Sequence, residues 1–552
     1  MNKKMIRLLP VITAAVIASS ILPAGCANKA KDAAEEASAG TVSQTTATSG
    51  ERELAGNVYK TGLPIVKDKI TLNIVTGVTS YNKVPLSERK NTKAFEERTN
   101  IHIEFTEIPD EMKGEKTNIM LASSDLPDGF MRALSNSQVV NNYDSGLFAP
   151  LDNLIDEYTP TIKGFLEDPA VKAQLVLPDG KIYATPAGEM APWTVISAYY
   201  YINRDWTDRL GLQLPVTTDD FYNVLKAFKD EDADGDGDKN NEIPFSFTGA
   251  DNLYLALGAF GVPCYSNQQY LYIKDGRVTY VPADPNFKKA MEYFNKLYKE
   301  GLIDQESFSQ NVNQLRAKGK NGVLGSFLQF LASSTLGVDK MDEYQAIPPL
   351  KGPEGYQLMH QHINGVSLGM VISAKSENKE ALIRWVDYLN SPDVNLEPTL
   401  GLEEEGCWVR KGDGKYEMNS HKTPEGLGWT EWLSNIGWNT SSPTLQPQKF
   451  VEENRVLENE QITKEALERV QEFGKYGVEE LLPPTMLDPE VNMELSTIQT
   501  ELLPLVKDYI SKSVMQGVND AEWNAFQENL KKAKYERYIE LWQEVYDKIK
   551  KQ

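Results

Sequence analysis

The stretch KDEDADGDGDKNNEIPF, residues 229–245, sets carboxylates at alternating positions around two glycines. Such a run could do acid–base chemistry, hold a cation, or form a solvated acidic loop. Counted from Asp232, the residues Asp232, Asp234 and Asp236 take positions 1, 3 and 5 of an EF-hand-like turn. Gly237 falls at position 6, where the backbone must bend sharply. Asp238 at position 7 can offer its carbonyl, and Asn240 stands at position 9. Position 12 holds Ile243 instead of the usual Glu, so Asn241 or Glu242 must close the sphere. A frame beginning at Asp230 puts Gly235 at position 6 and Asn241 at 12, with no closing carboxylate. The Asp232 frame is therefore preferred. Hard oxygens at alternating positions suit a large, flexible cation, and the loop is read as a structural Ca2+ site. Carboxylates saturated by a cation are poor acids and bases, which makes catalysis the weakest of the three readings.

Other catalytic constellations are thin. GxSxG, P-loop, HExxH and GxGxxG patterns do not stand in a fitting strand–helix context. With three Cys, four His and no CxxC, a zinc centre of the Cys/His type is not expected. Cys264 and Cys407 could form a disulfide, but two separate buried thiols is the favoured reading.

The elements that must position these residues alternate between strand and helix. ITLNIV at 70–75 and IHIEF at 101–105 alternate apolar and polar residues, with a helical pattern through Phe95 between them. That order predicts a parallel βαβ unit. Asp284 as N-cap and Pro285 at the first helical position open a helix carrying Phe287, Ala290, Met291, Phe294 and Leu297 on one face. Leu382, Trp385, Val386 and Leu389 mark another, stopped near Pro392, and Tyr538, Leu541, Trp542, Val545 and Ile549 the last. The class is α/β.

At 552 residues the chain exceeds one compact core. A net charge of −22 argues against nucleic acid, whose phosphates need basic patches. Lys3, Lys4 and Arg7 precede the apolar run LLPVITAAVIASSIL and then PAGC at 23–26, the plan of a secretory signal over 1–25 ending on a lipidated Cys26. Residues 26–67 are poor in large apolar side chains and read as a flexible tether holding a folded body off the membrane.

The segment YYYINRDWTDRLGLQLPVTTDDFYNVLKAFKD, 199–230, resembles the crossing strand and following helix of bacterial extracellular solute-binding proteins of family 1. Arg204, Asp205, Trp206, Leu210, Gly211, Leu212, Pro215 and Thr217 carry the match, and Thr217 with Asp220 also reads as a capping box. DLPDG at 125–129, DGKIYATPAG at 179–188, GMVISAKSENKEALIRWVDYLNSPD at 369–393 and GLEEEGCWVRKGDGKYEM at 401–418 resemble further family segments. The resemblance implies a two-lobed, type II periplasmic-binding-protein-like fold with the ligand in the cleft between lobes. It places one lobe over 68–196 and 345–400 and the other over 197–344 and 401–552. It further implies a non-enzymatic capture component of an ABC importer for a carbohydrate, chiefly an oligosaccharide. The chain would work as a monomer on the extracellular face of the membrane, with the importer's membrane subunits as partners. Sugars want aromatic platforms beside polar side chains. Tyr81, just past the C-terminal end of the first strand, and Trp193, Tyr199, Trp408, Trp432 and Trp438 near the crossings are the expected ligand contacts. The alternatives are a secreted carbohydrate-active enzyme, or a binder of a peptide or another small solute.

Overall fold

The computed structural model describes residues 52–551 apart from 265, 267 and 268. The expected signal segment, Cys26 and most of the tether lie outside the described residues. In chain order the elements used below are β1 (Ile70–Val78), α1 (Lys90–Thr99), β2 (Ile101–Pro109), β3 (Gly129–Met131), β4 (Ala184–Glu189) and β5 (Tyr199–Asn203). Then come α2 (Thr218–Asp230), α3 (Pro285–Lys299), α4 (Val312–Lys320), β6 (Ser326–Gln329), β7 (Tyr344–Ile347) and β8 (Ser367–Ile372). The last are α5 (Lys379–Asn390), β9 (Trp408–Gly412), β10 (Lys415–Met418), α6 (Trp429–Ile436), β11 (Leu445–Gln446), β12 (Arg455–Val456) and α7 (Tyr535–Lys550).

β1 and β2 pair in parallel from Ile70↔Ile101 to Val78↔Pro109, with α1 as the crossover, as the alternating pattern predicts. They belong to a six-stranded sheet in the order β11-β4-β8-β3-β1-β2. One core packs around it, with Ile74, Phe130, Val371 and Trp385 each almost fully buried. A second sheet, β6-β5-β7, is antiparallel throughout. Strand alternation splits β5 between two cores. Tyr200 and Ile202 join α2, α3 and α7 in the larger one, while Tyr199 and Tyr201 face Leu324, Phe327 and Phe473. The chain thus passes from the first sheet to the second between β4 and β5, and returns between β7 and β8. A small third sheet, β9-β10-β12, packs on its own cluster around Trp408, Tyr416 and Trp429.

Packing departs from the sequence expectation in two places. Val58, Ile65 and Val66 are buried in the first core, so ordered packing begins upstream of residue 68. Trp438 and Leu445 also lie in that core, and β11 pairs in parallel with the edge strand β4. An unpaired strand edge needs partners for its N–H and C=O groups. The 438–446 segment supplies them from a stretch of chain that the sequence assigns to the other lobe. Cys264 and Cys407 are separate buried thiols in different cores. Burial pushes both thiols up, Cys264 to about 12.

Candidate ligand cleft

A cavity of about 250 Å³ opens where the ends of β3 and β4 meet β10, β12, α6 and the 439–446 segment. β3 ends at Met131, and Arg132 follows with φ 54, a left-handed conformation that non-glycine residues rarely adopt. Its backbone N–H donates to Gly369 O at 2.8 Å and its Nε to Thr440 O at 3.1 Å. Nη1 of the same guanidinium is shielded from solvent and has no partner among the described residues. Glu189, at the end of β4, accepts from Arg455 Nη1 at 2.8 Å. Arg455 Nε donates to Glu460 Oε2 at 3.0 Å, and its guanidinium carbon lies 4.7 Å from the Trp193 ring centroid. Burial would lower the Arg455 pKa, but the charges of Glu460 and Glu189 outweigh it and raise it. Burial raises that of Glu189, with Arg455 opposing.

The walls have the composition a sugar needs. Trp429 supplies an apolar ring, while Asn439, Thr440, Ser442, Thr444 and Gln446 supply donors and acceptors. Tyr416 lines the same cavity with a shielded hydroxyl that has no partner. Burial pushes its pKa up, so the hydroxyl keeps its proton and can donate. A buried donor without a partner is costly. Arg132 Nη1 and Tyr416 OH are therefore two donors in the cavity wall that can take a further acceptor.

The six expected platforms fare unevenly. Trp193 is corrected to core: it is buried with Ala191, Val451 and Ala466, with the Arg455 guanidinium over its ring, and does not line the cavity. Tyr81 is half-buried outside the cavity, with the Arg316 guanidinium 4.1 Å from its ring centroid. Trp432 is half-buried and meets Trp429 edge-on at 5.6 Å. Three more are corrected to core. Trp438 is wedged among Phe95, Phe105 and Trp385, and its indole N–H donates to Thr92 Oγ1 at 2.9 Å. Trp408 is fully buried and donates to Gly401 O at 2.9 Å. Tyr199 is buried against Phe473 and Arg469. A ring whose faces are taken by protein has none left for a sugar. Sequence reasoning, which singled out the tryptophan cluster of GWTEWLSNIGW including Trp429, did not reach Arg132, Glu189, Tyr416 and Arg455 in the cavity wall. Arg132 and Glu189 carried a readable signal, since each stands at the end of a strand in the first lobe, at the rim of its sheet.

The acidic loop is separate from the cleft. The predicted capping box opens α2, with Thr217 Oγ1 accepting from Asp220 N and Asp220 Oδ2 from Thr217 N. The helix ends at Asp230 and the loop follows. Gly235 and Gly237 have φ 77 and 95, the sharp bends that only glycine adopts freely. One oxygen each from Asp232, Asp234 and Asp236 lies within 4.8 Å of the others, so this cluster can hold a metal ion. Asp232 Oδ1, Asn241 Oδ1 and Glu242 Oε2 are shielded and have no partner. Their other polar atoms are engaged: Asp232 Oδ2 accepts from Gly237 N at 3.1 Å, Asn241 Nδ2 donates to Asp236 Oδ2 at 2.6 Å, and Glu242 Oε1 accepts from Ala233 N at 2.9 Å. Burial raises the Glu242 pKa, and the charges of Asp234 and Asp232 add to it. Asp238 instead turns its carboxylate to Asn240, whose backbone N–H and Nδ2 both donate to Oδ1.

Comparison with known proteins agrees with this architecture. The fructooligosaccharide ABC transporter substrate-binding protein FusA of Streptococcus pneumoniae is 26% identical over 532 residues, covering 92% of this chain and 94% of FusA. The polygalacturonan/rhamnogalacturonan-binding protein YtcQ of Bacillus subtilis is 27% identical over 345 residues, 61% of this chain and 66% of YtcQ. The S. pneumoniae FusA structure in complex with kestose superposes with a TM-score of 0.79 at 25% identity, over 87% of this chain and 99% of that one. Residues 83–396, more than half of the sequence, match the bacterial extracellular solute-binding protein family, and this chain belongs to it.

Proposed function

We propose that this chain is the extracellular capture component of an ABC importer and that its ligand is an oligosaccharide. The observation that carries the reading is the cavity in which Trp429 faces hydroxyl and amide side chains while Arg132 Nη1 and Tyr416 OH lack partners. A ring of sugar hydroxyls satisfies both, and its C–H surface meets the part of Trp429 that the cavity leaves open. The site draws its side chains from the first sheet and from the third. Only a closed arrangement therefore engages all of them, and binding energy favours closure. No bond need be made or broken. Acid–base work would require free carboxylates, whereas Glu189 and Glu460 are both tied to Arg455. We further propose that the 232–242 loop holds Ca2+ through Asp232, Asp234, Asp236, Asn241 and Glu242, with Asp238 offering its carbonyl. The ion would supply positive charge that binds the carboxylates together, a structural role. Lipid on Cys26 would keep the chain, as a monomer, beside the membrane subunits.

Isothermal titration across neutral and acidic oligosaccharides, with product analysis of each bound sugar, tests the reading. Saturable binding of at least one oligosaccharide, recovered intact, is expected. Failure of every oligosaccharide to bind, or cleavage of the bound one, would overturn it.

A further inference from the structure

The cavity is electrically lopsided. On one side, Arg455 lies between Glu189 and Glu460 and is neutralised by them. On the other, Arg132 makes no ion pair among the described residues, and its Nη1 is shielded without a partner. Asp110 is the one carboxylate whose charge acts on Arg132, and its Oδ1 is bonded to Lys113 Nζ at 2.9 Å. Burial pulls the Arg132 pKa below its ordinary value, the mark of a cation short of a counter-charge. The Nε bond to Thr440 O ties the half-buried guanidinium to the cavity rim, with its Nη1 on the shielded side.

A neutral sugar would give Nη1 a hydrogen bond and leave the half-buried charge without a counter-charge. A carboxylate supplies both, in the geometry a guanidinium fork prefers. Resting on the oligosaccharide reading above, we infer that the ligand is an acidic oligosaccharide whose carboxylate pairs with Arg132. Its neutral hydroxyls face the Glu189–Arg455–Glu460 side, where surplus carboxylate would repel a second acid. The chain's overall charge of −22 does not oppose this, because exposed charges beyond a Debye length are screened while a shielded cation at contact is not.

The test uses matched pairs on the full chain: glucuronosyl-xylotriose and trigalacturonate, each beside its carboxyl-reduced form, with kestose as a further neutral probe. Titration calorimetry is run at two salt concentrations. The tightest ligand is expected to be an acid, binding about 10- to 100-fold more tightly than its reduced form, the effect of one charged hydrogen bond. Arg132→Gln should erase most of that ratio, and Arg132→Lys should restore part of it. In the unaltered protein the acid-to-reduced ratio should hold at both salt concentrations, because a pair in contact is screened far less than exposed charges; a ratio that collapses at the higher salt would assign the preference to long-range charge instead of Arg132. If a reduced form or kestose binds as tightly as the best acid, the inference fails while the oligosaccharide reading stands. If the acid-to-neutral ratio survives Arg132→Gln in a protein of unchanged melting temperature, the assignment to Arg132 fails. If no oligosaccharide binds, both fall.

Discussion

Removing calcium from the 232–242 loop is expected to cost the folded chain about 3 kcal/mol. Three oxygens, Asp232 Oδ1, Asn241 Oδ1 and Glu242 Oε2, are shielded without a protein partner. Each would cost about 1–3 kcal/mol if kept buried and unmet. A closed loop without its cation would also hold three carboxylates within 4.8 Å of one another. The loop opens to water before bearing the whole of that penalty, so ligand linkage sets the scale. At free calcium near 1 mM and a dissociation constant of about 10 μM, the stabilisation is about 2.7 kcal/mol. For a unit of 150–250 residues that corresponds to roughly 5–10 °C in Tm. The loss should reach the second sheet, because Ile243 N donates to Val323 O and Gly325 N to Ile243 O, both at 2.8 Å, beside β6. The assay is thermal unfolding by circular dichroism at fixed ionic strength, with calcium or with EDTA. Asp234→Asn and Glu242→Gln should lower the calcium midpoint and leave the EDTA midpoint nearly unchanged. Equal midpoints with calcium and with EDTA, or variants that lower both alike, would refute the reasoning.

Three further perturbations separate core from cleft. Trp438→Ala should cost roughly 3–5 kcal/mol in urea unfolding, the usual loss for a large buried ring, and a near-neutral result would place that ring outside the core. Tyr416→Phe should weaken oligosaccharide binding by about 2- to 10-fold in calorimetry while leaving Tm equal or higher, because the free protein loses a hydroxyl that has no partner. His360 is buried beside Tyr254 and His362, and burial with the His362 charge pushes its pKa down to about 3. The unfolded chain protonates His near pH 6.5 while the folded chain does not, so His360's contribution is whole above pH 6.5 and is lost progressively as pH falls toward 3. By pH 5 the loss is roughly 2 kcal/mol, and His360→Asn should flatten the stability profile between pH 7 and 5.

Local structure was legible wherever one short stretch decides it. The β1–α1–β2 unit follows from hydrophobic period, and the helix after Asp284 from an N-cap with Pro285 beside it. The capping box of α2, and the convergence of Asp232, Asp234 and Asp236 after it, follow from side-chain spacing alone. The choice between Asn241 and Glu242 was not legible, and the fold leaves an unpartnered oxygen on each. Among the aromatics, composition gave no way to tell which rings stay in the core and which reach the cavity. GWTEWLSNIGW holds three tryptophans within ten residues, yet one lines the cavity, one stands edge-on behind it and one fills the first core.

By itself the sequence determined the α/β class, the family pattern and the carboxylate geometry of the loop, because each depends on residues close together along the chain. Only tertiary structure decided which polar atoms are left without partners, since that depends on what distant segments bring to them. Arg132 and Thr440 are remote in sequence and bonded in space, as are Glu189 and Arg455. The cleft's shape and its charge asymmetry arise where the 438–446 segment returns to the first sheet, a contact no local pattern encodes.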